Sequence, residues 1–282
     1  MPSGTLLAQS VLSGLFIGAL YGLLGLGLSL SWGLLRQINL ALFALAFLAA
    51  YLCYQLSHFM DPLATLLVIV PLFAVIGVAM QWVFARFRVT PFNSLLVTFG
   101  LTVIVEAIIQ GFWTADFRKL ESSYGAAKFK VGALYVPVPE LMTLIAALAL
   151  AFGIHAILRR TDLGRALRAS AEDAPIAAAF GIDQKALALG LSGLCAALAG
   201  VAGVCIALSY TLAPSQIYAW IGVVFATVML GGLGGAVGPL VAGFVIGVSE
   251  SVTMAVTSPA WAPLVSFSLL ILVLLLKPGA SR

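Results

Sequence analysis

From Met1 to Leu35 the chain carries no charged side chain, and from Ile217 to Leu276 it carries one, Glu250. Apolar runs this long have one common solution. A helix rises about 1.5 Å per residue, so about 20 apolar residues cross a hydrocarbon core of about 30 Å with every backbone hydrogen bond satisfied internally. Composition agrees: 62% of the 282 residues are hydrophobic and 9% charged, and the mean hydropathy is +1.15. A sizeable soluble domain is excluded, and the length allows at most about ten crossings.

Charged residues divide the chain into expected spans at about 8 to 32, 38 to 57, 62 to 85, 92 to 113, 137 to 158 and 186 to 209. Glycines and prolines break the remainder into pieces of about 17, 20 and 16 residues, any of which can be a half-span. The expected fold is an all-α polytopic bundle of about seven to nine transmembrane helices, forming one domain over 1–282. A membrane barrel is excluded, because the runs do not alternate apolar and polar. A signal peptide is not expected, since the first segment lacks a basic start and runs too long.

Cytoplasmic loops are enriched in Lys and Arg. With the N-terminus outside, the inner side receives ten: Arg36, Arg86, Arg88, Arg159, Arg160, Arg165, Arg168, Lys185, Lys277 and Arg282. The outer side receives four: Arg118, Lys119, Lys128 and Lys130. This orientation makes 114–136 an external loop and 159–185 a cytoplasmic one. It also puts the C-terminus inside if one or three tail pieces cross. The positive balance of +4 is spread over span ends rather than gathered in a patch, so it marks topology and not nucleic-acid binding.

Gly14, Gly18 and Gly22 fall four apart, as do Gly243 and Gly247. In lipid, helices approach closely where small residues share a face, so these read as packing stripes. Five glycines between Gly231 and Gly238, followed by Pro239, force a turn. That turn is either a tight cytoplasmic connection or a broken helix beside a pathway. No lysine follows a glycine, so there is no Walker phosphate loop. Cys53, Cys195 and Cys205 lie in apolar runs without metal-site spacing and read as packing residues. His58 and His155 have no partner at ligand spacing. No catalytic residue, metal site or cofactor is expected, and within the spans no His stands beside a Ser or Cys as an intramembrane enzyme requires.

Residues 159–185 hold nine of the 24 charged residues. Thr161 and Asp162 can cap a helix from about Leu163 to Glu172, and Asp173 with Pro175 can start a second that ends at Gly181. The second helix, Ile176 to Phe180, is small and apolar. The pair either lies on anionic lipid or docks on a soluble partner. Away from the span ends Glu106 and Glu250 are the two carboxylates, costly at the bilayer centre and therefore candidate pathway residues or buried hydrogen-bonding groups. Thr98, Thr102 and Glu106 share one helical face, and Asn39 and Gln110 add neutral polar groups to the candidate pathway.

The stretch Thr161 to Asp183 closely resembles the cytoplasmic loop of LivH-type permeases, the membrane subunits of ABC importers for branched-chain amino acids, with relatives for urea and short amides. Tyr21 to Asn39, Met229 to Pro239 through Gly247 and Glu250, and Ser266 to Pro278 fit the same family in order. The family commonly reads Asn-Phe-Ala-His-Gly where this chain has Asn39-Leu40-Ala41-Leu42-Phe43. The resemblance implies a permease in a bacterial inner membrane. Its implied partners are a second permease subunit, two cytoplasmic ATP-binding subunits and an extracytoplasmic solute-binding protein. It assigns ATPase coupling to Gly164, Arg165, Arg168, Glu172, Asp173, Ala177, Ala178 and Gly181. The residues alone leave an alternative open: a proton-coupled secondary transporter working through Glu106 and Glu250.

Overall fold

A computed structural model of the chain describes residues 4–87, 89–121, 123–132, 134–258 and 261–276. Arg88, Lys277 and Arg282, which enter the count of inner basic residues, lie outside the described residues. The helices are α1 Gly4–Leu35, α2 Ala41–Leu56, α3 Leu66–Arg86, α4 Pro91–Trp113, α5 Ser123–Ala126, α6 Val138–Arg160, α7 Asp162–Glu172, α8 Ala174–Ala179, α9 Gln184–Ser209, α10 Gln216–Gly231, α11 Val237–Val256 and α12 Ala262–Leu276. Among the described residues α1, α3, α4, α6, α9 and α11 are long and apolar enough to cross a membrane, while α2 and α10 are shorter apolar helices.

The bundle is centred on α1, α2 and α9. Both α1 and α9 are mostly enclosed by their neighbours, whereas α3, α4 and α6 turn most of their surface outward. What they turn outward is apolar: Leu67, Trp82, Phe92, Leu96, Phe112 and Phe152 are all exposed. An apolar exterior over an apolar core is the surface of a protein solvated by lipid.

Close packing at the centre depends on glycine. The α1 stripe of Gly14, Gly18 and Gly22 meets the α11 stripe of Gly243 and Gly247, with the two helices antiparallel. A Cβ on Gly18 would lie 2.5 Å from the Gly243 oxygen, and one on Gly243 would lie 2.4 Å from the Gly18 oxygen. Backbone thus touches backbone, the close approach that drives association where no hydrophobic force acts between helices. On the other side, α3 packs on α9, and Ser192 Oγ donates to the Gly77 oxygen at 2.9 Å.

The glycine-rich tail segment is a tight turn at one end of the bundle, joining α10 to α11. Gly232 and Gly234 have φ of +89° and +76°, conformations that a Cβ would penalise. The turn presses on the end of α1, where a Cβ on Gly33 would meet the Gly234 nitrogen at 2.0 Å. Gly234 N donates to the Ser29 oxygen at 3.0 Å, and Ser29 Oγ lies 3.0 Å from the Gly235 oxygen and 3.1 Å from that of Gly232.

The basic residues sort onto the two ends as the sequence pattern requires. The end of α1, the glycine turn, Arg86 and the α7–α8 pair share one end of the bundle. The loop carrying Arg118, Lys119, Lys128 and Lys130 occupies the other. That second loop holds a feature the sequence does not announce, an antiparallel ribbon of β1 Lys128–Val131 and β2 Leu134–Pro137. Its β2 edge is pinned by the amide of Gln9, which donates to the Tyr135 oxygen at 2.9 Å and accepts from the Tyr135 amide at 3.0 Å. Arg118 and Leu212 exchange backbone hydrogen bonds at 2.9 and 2.7 Å, tying the loop to the α9–α10 connection. Tyr124 donates to Asp61 Oδ2 at 2.9 Å, and this bond to a carboxylate pushes the phenol's pKa up.

Candidate functional site

The α7–α8 arm is built by its caps. Thr161 Oγ1 accepts from the Gly164 amide at 3.2 Å and starts α7, and Asp173 Oδ1 accepts from the Ile176 amide at 3.0 Å and starts α8, with Pro175 in its first turn. At the end of α8, Gly181 has φ +85°, Ile182 N bonds the Ala177 oxygen and Gly181 N bonds the Ala178 oxygen. These paired bonds form a Schellman cap, for which glycine at this position is the natural residue.

The eight residues assigned to coupling divide into two groups. Gly164 and Ala177 are buried within the chain. A Cβ on Gly164 would lie 2.3 Å from the Leu158 oxygen, so glycine lets α7 fold back against the end of α6. Asp173 and Gly181, though exposed, are occupied in shaping the α8 termini. Arg165, Arg168, Glu172 and Ala178 face outward. Arg165 pairs with Asp162, but both side chains are well exposed, so the pair contributes little stability and leaves the charge available. Beside them Ile176 and Phe180, one helical turn apart, are exposed, Phe180 at 84%. Phe180 is thus uncovered on a short arm that sits at the charged end of the chain's helices rather than along a membrane-length helix.

The candidate pathway residues do not form one lining. Thr98 and Thr102 on α4 are fully buried. Thr98 Oγ1 accepts from the Leu40 amide at 3.1 Å and lies 2.7 Å from the Ser94 oxygen and 3.2 Å from that of Ile38, so it fixes the connection between α1 and α2. Thr102 Oγ1 bonds back to the Thr98 oxygen at 2.8 Å. Asn39, 4% exposed, sits in that same connection with Nδ2 4.0 Å from Met80 Sδ. Its buried Oδ1 is without a hydrogen-bond partner. Two turns further along α4, Glu106 accepts from Tyr218 Oη of α10 and from Gln110 Nε2 at 3.1 Å.

Glu250 is placed elsewhere, in the core between α1, α11 and α12. It is 4% exposed and accepts from Tyr21 Oη at 2.9 Å and from Ser266 Oγ. Both carboxylate oxygens are therefore engaged by hydroxyl donors. Tyr21 stacks edge-on against Trp220, which also meets Phe47 and Tyr210. Among the described residues there is no cluster able to hold a metal ion.

One residue at the arm escapes sequence reasoning. Arg36, which sequence reads only as a topology signal, donates from Nη2 to the Ala171 oxygen at 2.7 Å and the Glu172 oxygen at 3.4 Å. No local pattern marks it, because its partners are 135 residues away. A cavity of about 510 Å³ opens beside it, bounded by Gln37, Gln81, Ser170, Asp173 and Gln184.

An apolar helical bundle with glycine-packed centre, charged ends and a capped polar arm defines a multi-pass α-helical membrane protein. The family described as "Branched-chain amino acid transport system / permease component" matches residues 10–274, and the chain belongs to that family. Among its relatives, the high-affinity branched-chain amino acid transport system permease protein BraD of Pseudomonas aeruginosa is 24% identical over 289 residues, covering 96% of this chain and 94% of the relative. The permease protein LivH of the corresponding Escherichia coli K12 system is 26% identical over 298 residues, covering 96% and 93%. A probable branched-chain amino acid transport permease of Methanocaldococcus jannaschii is 38% identical over 102 residues, 36% of this chain and 32% of the relative. No solved structure matches.

Proposed function

We propose that this chain is the inner-membrane permease subunit of an ATP-driven importer for branched-chain or other small amino acids. A second permease subunit completes the pathway, two cytoplasmic ATP-binding subunits drive it, and an extracytoplasmic solute-binding protein delivers the solute. The observation that carries the reading is the α7–α8 arm. It is a capped element, set at the basic end of a family permease, with Ile176 and Phe180 exposed at α8 and Arg165, Arg168 and Glu172 exposed on the adjoining α7. Exposed large apolar side chains on a capped element outside the spans suit an anchor for a protein partner. An ATPase that binds the arm differently in its open and closed states supplies the free-energy difference needed to switch the bundle.

The rival reading, proton coupling through Glu106 and Glu250, finds less support. Glu250 is locked between two hydroxyls in the core, and Glu106 lies on another face with neutral partners. Proteoliposomes holding the purified complex decide between them. Uptake of leucine should require ATP on the side of the ATP-binding subunits and be indifferent to a pH gradient. Leucine uptake by this chain alone, driven by a proton gradient and lost in Glu250→Gln, would overturn the proposal.

A further inference from the structure

Arg36 has φ +54°, the left-handed region that residues bearing a Cβ avoid and glycine adopts freely. A non-glycine residue held there points to a task for its side chain. That side chain reaches the last turn of α7, donating to the Ala171 and Glu172 oxygens. Those carbonyls belong to the set a helix leaves unpaired at its C-terminus, where the helix dipole also favours a cation. The arginine therefore caps the arm from a different helix.

The residues that follow are held at both ends. Gln37 is fastened to the last turns of α1, its amide donating to the Ser31 oxygen at 3.4 Å and its oxygen accepting from Ser31 Oγ at 3.0 Å. Ile38 and Leu40 are fastened to Thr98 of α4. Between them stands Asn39, buried with a free Oδ1. The cavity beside Arg36 gives the arm room to shift. Resting on the functional reading above, the geometry points to residues 36–40 as the strap that carries displacement of the α7–α8 arm to α4 and to Asn39. Arg36 is the positioning residue that attaches the strap to the arm.

Arg36→Gly tests this cleanly, because glycine keeps the left-handed backbone and removes only the grip. In the reconstituted complex, ATP hydrolysis and retention of the ATP-binding subunits should stay near wild type, while leucine taken up per ATP falls about tenfold, within the range of coupling carried by such links. Arg36→Lys, which keeps a cationic nitrogen able to donate to the same carbonyls, should recover a good part of that ratio. Hydrogen exchange on the permease chain alone gives a readout free of any solute: amides of 36–40 and of the end of α7 should exchange faster in Arg36→Gly. An unchanged solute-to-ATP ratio, loss of ATPase retention with Arg36→Gly, or unaltered exchange would each overturn the proposal. Failure of the wild-type complex to take up leucine would instead count against the functional reading, with exchange still deciding whether the grip exists.

Discussion

At the scale of single residues, the glycines do work that composition alone does not locate. A stripe at fourfold spacing marks a close-packing face, but Gly14 to Gly22 could have met any neighbour. That it meets Gly243 and Gly247 is a fact of the assembled bundle. Changing Gly243 to Val would drive a side chain into the Gly18 backbone. We expect a loss of about 2 kcal/mol, seen as a lower melting temperature of the purified chain, whereas Gly100→Val, with open space around its Cβ, should change little. Equal effects at the two sites would refute the packing role. Glu250 shows the limit of sequence in the other direction: a lone carboxylate in an apolar run is conspicuous, yet its donors are 229 residues before it and 16 after it. Since a buried charge and a buried hydrogen-bonded carboxylate look alike in sequence, only the partners assign it to the core.

At the scale of elements, the arm was the most legible part. Its two helices, their start at Thr161 and Asp173 and their end at Gly181 follow from cap chemistry, which acts within a few residues and so is written locally. Sequence did not separate the residues that shape the arm from those that present it. Ala177 and Ala178 are neighbours of the same type, and one is buried while the other is exposed. Ile176→Ser with Phe180→Ser removes two exposed apolar groups without touching the core. The doubly substituted permease should bind its ATP-binding subunits about tenfold more weakly, or about 1.4 kcal/mol, by pull-down titration, while membrane insertion stays normal. Undiminished binding would show that the partner grips some other surface. The ribbon β1–β2 escaped prediction because four-residue strands carry too short an alternation to stand out from a polar loop.

At the scale of the whole molecule, the fold gathers the basic residues at two ends, and the positive-inside count proposes which of them faces the cytoplasm. That orientation is open to a direct check. The three native cysteines are buried, so a membrane-impermeant maleimide meets little background in intact cells. Lys130→Cys, on the β1–β2 ribbon, should label from outside, and Asp183→Cys, at the start of α9, should label only after the membrane is opened. The reverse pattern would invert the topology and place the arm beyond reach of a cytoplasmic motor.

The sequence by itself determined that this protein is a helical membrane bundle, where the apolar helices before residue 210 begin and end to within a few residues, and that one capped polar arm lies at its basic end. Each of these rests on hydropathy, charge or capping, which are properties of neighbouring residues. Only the tertiary structure decided which glycine faces touch, that Glu250 belongs to the core, that Glu106 turns to a different helix, and that Arg36 holds the arm. Helices apolar on every side carry no preferred face in their sequence. Their mutual placement is fixed by backbone-to-backbone approach and by hydrogen bonds between residues far apart in the chain.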